Sequence, residues 1–204
     1  MTQGAARGAA QPSGGDRPIL FLDVDGPLNP FAARSPLRLR GYQSHRMRPA
    51  VWAARFPDAP PLVVRLRPAH GALLLRLPVE LVWATTWEAE ANDWIGPRIG
   101  LPELPFVPWP PAEQRLDTAD GRYWKTQAVA AYAAGRAFAW LDDQIGPVDL
   151  RWCAEHHPAP TLLRRIDPAI GLRERDLAVV ERWAAQLPDP SASSGSSDPG
   201  RRTP

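Results

Sequence analysis

One cysteine, Cys153, is present in 204 residues. An intramolecular disulfide is therefore impossible, and zinc sites built on two or more cysteines are excluded. A solitary thiol of this kind reads as a small buried or half-buried apolar side chain. Long apolar runs are missing too. No stretch approaches the ~18 to 20 residues that span a bilayer. Residues 1–16 lack the apolar core of ~7 to 15 residues that a secretory signal requires. Both absences predict a cytoplasmic protein with no membrane partner. An excess of one charge is also missing: the formal net charge is +2 and the pI about 9.1, too slight to indicate nucleic acid by itself. Lysine is as scarce as cysteine. Lys125 is the only one among 24 lysines and arginines.

Residues 1–16 and 188–204 are rich in small and polar residues and cannot bury enough surface to offset the entropy of ordering. They are expected to be disordered tails around one domain over 17–187. Within that body apolar strands alternate with helical stretches. Strands are expected at 18–23, 79–84, 104–107, 137–141 and 161–166. Helices are expected at 69–77, at 88–95 (stopped by Gly96-Pro97), at 124–134 and at 172–187. This alternation predicts an α/β fold with a mostly parallel sheet and helices on both faces. In such sheets ligands bind beyond the carboxyl ends of the strands. Residues 31–78 are too long for a plain crossover. Beyond the helix at 69–77, the stretch reads as a small β-rich insertion (about 31–68) placed over the site, including 41–47 and Leu62–Leu66.

Four features bear on chemistry, each at the end of an expected strand or the start of an expected helix. Asp23 and Asp25 stand two apart after a buried strand, so both carboxyls can face the same way, and Gly26 permits the sharp turn that follows. Two acids this close repel unless they share a cation. Thr85 and Thr86 follow the second strand, where a hydroxyl and free N–H groups suit a phosphoryl oxygen; helix capping explains them equally well. Lys125 opens a helix, a place where a cation is unfavourable unless an anion is close. It is a compact point charge in a chain that otherwise uses arginine, and the two do not interchange in a tight site. Asp142 and Asp143 end a later strand and suit a hard cation through oxygen, although a capping Asp followed by a solvated one would look the same.

Taken in chain order, this set resembles the four motifs of the haloacid dehalogenase (HAD) superfamily. The FLDVDG-x-LNP opening, the W-x-T-T-W segment, Ala91-Asn92 and Gly171-Leu172 bring it closer to the HAD domain of Swiss Army knife RNA-repair proteins. The resemblance implies a Rossmann-like three-layer sandwich with five strands in the order 5-4-1-2-3 and a small cap after strand 1. It also implies a Mg²⁺-dependent phosphohydrolase acting on a phosphomonoester. Asp23 would be the nucleophile, Asp25 the general acid and base, and Thr85 or Thr86 a phosphoryl ligand beside Gly26. Lys125 would neutralise the phosphoryl charge. The Mg²⁺ site would draw on Asp23, Asp25 through its backbone carbonyl, and Asp142, with Asp143 as an alternative ligand. Pro27 departs from the wider pattern, which commonly has Thr or Val there. A metabolite and an RNA or DNA end are both open as substrates; arginines 34, 38, 40, 46, 48, 65 and 67 in the insertion suit a polyanion or a solvated face. A non-catalytic phosphate-binding module of the same fold is the competing expectation. Carbon–halogen hydrolysis is disfavoured by Asp25, since a halide needs no proton to leave. His45 and His70 are read as structural, and the His156-His157 pair, without partners at metal spacing, is given no role.

Overall fold

A computed structural model describes residues 17–188; the tails expected at 1–16 and 188–204 lie, apart from Pro188, outside the described residues. The first strand, β1 (Ile19–Leu22), is fully buried and takes partners on both sides. It pairs in parallel with β4 (Glu80–Trp83) and with β5 (Phe138–Asp142), and β5 pairs in parallel with β6 (Thr161–Arg165). The sheet order is β4-β1-β5-β6. Successive side chains of a strand point to opposite faces, and here both faces are covered. Leu20 and Leu22 join a core with Leu74, Ile95, Leu177 and Val180, while Ile19 and Phe21 join a second with Val129, Ala133 and Cys153. The first core is supplied by α2 (Ala69–Leu75), α3 (Glu90–Trp94), α4 (Gly96–Ile99) and α7 (Glu174–Ala185). The second is supplied by α5 (Thr126–Ala133) and α6 (Pro147–His156). Helix, sheet and helix make three layers. Cys153 is buried and its thiol is pushed up to about 12 by that burial.

The structure differs from expectation at three places. The sheet has four strands, because 104–107 meets it only through the bridge Trp83–Phe106, with Trp83 N donating to Pro105 O and Val107 N donating to Trp83 O, both at 2.9 Å. Prolines 102, 105 and 108 cannot donate to a ladder, which explains why pairing stops there. Gly96-Pro97 does stop α3, which ends at Trp94, but a second short helix, α4, follows that was not expected. Pro97 sits in the first turn of α4, where its missing N–H costs nothing, and Gly100 in the left-handed region closes it. The helix α6 was not expected at all, since Pro147 reads as a breaker but occupies the same tolerated first-turn position.

The insertion folds as an antiparallel pair, β2 (Gln43–Met47) with β3 (Leu62–Leu66), with α1 (Ala50–Arg55) between them. Met47, Val64 and Leu66 enter the first core, so the pair is anchored to the sheet layer by apolar contact. Among the described residues no helix is long and apolar enough to cross a membrane.

Two neighbours in α2 generate predictions. Gly71 lies so close to α4 that a Cβ there would sit 1.7 Å from the Ile99 carbonyl oxygen. Gly71→Ala must therefore push two helices apart and is expected to cost about 1–3 kcal/mol in urea denaturation; an unchanged midpoint would contradict this packing. His70 is 1% exposed, with its ring edge-on to Tyr42. Burial, and then the Arg67 charge, hold its pKa down to about 4. The unfolded chain takes up that proton near pH 6.5 and the folded one only near 4, so stability is lost as pH falls through this window, by at most about 1.4 kcal/mol per pH unit. His70→Leu is expected to flatten that part of the stability–pH curve, and an identical slope would show that the ring is not held neutral.

Candidate active site

The parallel register brings the strand ends together. Leu22 is level with Trp83 on one side and Leu141 on the other, so the residues that follow, Asp23, Ala84 and Asp142, emerge side by side at the carboxyl edge of the sheet. Backbone bonds extend the ladder one step, with Asp23 N donating to Leu141 O at 3.0 Å and Ala84 N to Leu22 O at 2.9 Å.

Lys125 joins these ends. Its ammonium donates to Asp23 Oδ2 at 2.9 Å, to Asp142 Oδ2 at 2.9 Å and to the Ala84 carbonyl at 3.0 Å. All three of its protons are used, and the residue is 1% exposed. Lys125 caps α5 and is aimed by its flanks: Asp149, itself buried, accepts from Tyr123 N at 2.9 Å and from Thr126 Oγ1 at 2.6 Å. Tyr123, Trp109 and Trp124 lie with ring centroids 5.5–5.9 Å from the ammonium. Burial opposes its charge, but Asp23 and Asp142 outweigh that penalty and hold the pKa well above the ordinary lysine value.

Carboxylates outnumber the cation. One ligand oxygen each from Asp23, Asp142 and Asp143 can be chosen so that all lie within 4.8 Å of one another, and all three residues are buried. Burial first, and Asp23 second, raise the pKa of Asp142 and push that of Asp143 up to about 6. A single ammonium leaves this group short of positive charge. Three hard oxygen donors converging on one point fit a small divalent cation such as Mg²⁺ and do not fit a soft metal.

Asp25 stands apart from that cluster. Its Oδ1 accepts from Asn29 Nδ2 at 2.7 Å and its Oδ2 from Trp87 Nε1 at 3.0 Å. Burial and then Asp23 raise its pKa, favouring the protonated form. The turn that carries it is tight, with Leu28 N and Asn29 N both donating to Val24 O. Gly26 has φ +92°, and a Cβ there would come 2.6 Å from Asp143 Cβ. Glycine is thus required twice, by the backbone and by the close approach of the second acidic pair. Thr85 is buried and its carbonyl accepts from Trp109 Nε1 at 2.7 Å, whereas Thr86 is exposed.

The sequence-expected residues Asp23, Thr85, Lys125, Asp142 and Asp143 therefore meet at one edge, with Asp25 and Gly26 on the adjoining turn. Asn29, Trp87, Trp109 and Asp149 were missed. The first two lie inside the LNP and W-x-T-T-W stretches, which was the available signal. Asn92 has a structural part, accepting from Trp83 Nε1 at 2.8 Å and from Leu104 N at 2.9 Å. His156 and His157 bond to the carbonyls of Trp152 and Arg136.

Removing the ammonium strands two or more buried carboxylates. Lys125→Met is expected to lower stability at pH 7 by about 3–5 kcal/mol, with a smaller loss at pH 5, where the carboxyls of raised pKa hold protons. Chemical denaturation at the two pH values reads both effects; a variant as stable as the parent at pH 7 would contradict the role given to Lys125.

Residues 19–177 match the model of the family described as the HAD domain in Swiss Army Knife RNA repair proteins. Among solved structures, the HAD domain of the effector protein Lem4 from Legionella pneumophila is similar at 11% identity and a TM-score of 0.43, over 83% of this chain and 98% of that one. No curated protein matches the chain. With the family match running from β1 into α7 and enclosing every acidic residue of the site, the chain belongs to the HAD superfamily, in the family of HAD domains of Swiss Army Knife RNA repair proteins.

Proposed function

We propose that the protein is a Mg²⁺-dependent phosphohydrolase that works through an aspartyl-phosphate on Asp23. One observation carries the reading: a buried ammonium 2.9 Å from both Asp23 and Asp142, beside a third carboxylate, at the carboxyl edge of the sheet. A purely structural ion pair needs one carboxylate. Here the lysine meets two, and a third lies within 4.8 Å of them, an arrangement that suits a further cation.

In this reading an Asp23 oxygen attacks phosphorus. The new O–P bond forms as the ester O–P bond breaks, and Asp25, held by Asn29 and Trp87, gives its proton to the leaving oxygen. Water then attacks the same phosphorus, Asp25 takes its proton, and Asp23 is released with inorganic phosphate. The carboxylate divides one hard hydrolysis into two easier steps. Lys125 offsets the repulsion between Asp23 and the incoming phosphate, since each unit-charge pair at ~4 Å is worth about 4 kcal/mol at an effective dielectric of ~20. Thr85, the buried member of the threonine pair, donates its hydroxyl to a phosphoryl oxygen. Mg²⁺, held by Asp23, Asp142 and Asp143 with the Asp25 backbone carbonyl, would supply the remaining positive charge. The β2–β3 pair is the cap, covering about 31–68. Its link to the site is Arg65 N, which donates to Asn29 Oδ1 at 3.0 Å.

Purified protein is expected to release phosphate from an aryl phosphate with Mg²⁺ and not with a chelator. Asp23→Asn should reduce release to background, and Asp25→Asn should lower kcat by about 10²–10⁴-fold. Release that persists in Asp23→Asn would remove that residue as the nucleophile. An inert parent across a broad phosphate-ester panel would argue instead for a binding module.

A further inference from the structure

Three arginines pair with carboxylates, Arg115 with Glu88, Arg136 with Glu80 and Arg164 with Asp176, while others, such as Arg48 and Arg98, donate to backbone carbonyls. Four more are gathered in one place. Arg38, Arg40, Arg67 and Arg173 line a single pocket of roughly 200 Å³ together with Tyr42 and Leu172. Among the described residues no carboxylate forms an ion pair with any of the four, and one hydrogen bond leaves their guanidinium groups, from Arg38 Nη1 to the Ala169 carbonyl at 3.3 Å. Arg67 and Arg173 belong to different parts of the chain, on the β3–α2 connection and at the cap of α7, yet both charges act on the Tyr42 hydroxyl. Four like charges drawn together without a counter-ion repel one another. Such a cluster is relieved when an anion enters, and guanidinium forks match phosphate oxygens in geometry as well as charge.

The pocket adjoins the catalytic turn. Its wall at Gly171–Leu172 leans on Pro27: Leu172 N donates to Pro27 O at 2.8 Å, and a Cβ at Gly171 would stand 3.2 Å from that oxygen and 2.7 Å from Tyr42 Oη. Pro27 follows Asp23 by four residues, so their Cα atoms are at most about 14 Å apart. The volume is small beside the roughly 300–1,000 Å³ of a whole small-molecule site, which suits one group of a larger ligand.

We propose that this pocket binds a second phosphate group of the substrate, one that is not hydrolysed, while the reacting phosphate sits at Asp23. The assignment to a substrate rests on the phosphohydrolase reading; the assignment of the pocket to a phosphate does not. The second phosphate belongs either to a free nucleotide or to the backbone of a strand whose terminal phosphate reacts.

The test uses the full chain with Mg²⁺ and three substrates: an aryl phosphate, a nucleoside 3′,5′-bisphosphate and a short oligonucleotide bearing a terminal phosphate. Replacing Arg40 and Arg173 together by Gln is expected to raise KM for a substrate with a second phosphate by about tenfold or more, with kcat/KM for the aryl phosphate unchanged within about twofold. An effect on both the bisphosphate and the oligonucleotide assigns a compact two-phosphate ligand, and an effect on the oligonucleotide alone assigns a strand. Arg67→Lys, which keeps the charge and loses the fork, should give an intermediate rise. If the double variant fails to fold, the exposed Arg40→Gln alone should show a severalfold rise. Equal losses on all three substrates, or none on any, would overturn the proposal. Should the parent hydrolyse nothing, titration of the labelled oligonucleotide and of the bisphosphate still decides the pocket. Binding about tenfold weaker in the double variant, with a shallower salt dependence, supports a phosphate site, and equal binding overturns it.

Discussion

A buried ammonium shared between two carboxylates and a carbonyl is the constraint on which this structure turns. Lys125 reaches the ends of β1 and β5 and the carbonyl just beyond β4, so three strands far apart in the chain end on one charge. Placing it there is costly, because a desolvated cation at a helix start has burial and the helix dipole against it. The cost is met by the surrounding acids, and α5 is held in place by Asp149, which grips the backbone before Lys125 and the hydroxyl after it. The result is a site with more carboxyl groups than cations, packed closely against Gly26.

Much of this was legible in the sequence. The apolar run into Asp23, the isolated lysine and the paired aspartates at 142–143 each announced an edge position, and the strand–helix alternation fixed which edge. That sufficed for the layers, for the four-strand core of the sheet and for the β-rich character of the insertion. Propensity failed wherever proline acted by position. Pro147 and Pro97 sit in first helical turns and look like breakers, while Pro105 thins a strand to a bridge. The supporting groups were hidden for a different reason. Asp149 and Trp109 act through a backbone amide and a carbonyl, contacts that depend on three-dimensional proximity and leave no spacing rule.

The two acidic pairs divide their surroundings. Asp142 and Asp143 share oxygen geometry with Asp23, whereas Asp25 has its own donors in Asn29 and Trp87. The insertion touches this division directly, since Asn29 bonds Asp25 with its amide nitrogen and the β3 backbone with its oxygen. A change in the β2–β3 pair would thus be felt at Asp25 before it was felt at the carboxylate cluster.

The central claim is a covalent bond from Asp23 to phosphorus, and trapping it is the most direct measurement. Protein mixed with a phosphate ester and Mg²⁺, quenched in acid during turnover and digested, is analysed by mass spectrometry with and without hydroxylamine. The account predicts one added phosphoryl group on the peptide containing Asp23, removed by hydroxylamine and absent without Mg²⁺. Turnover with no phosphorylated peptide, or with the phosphoryl group on another residue, would contradict it.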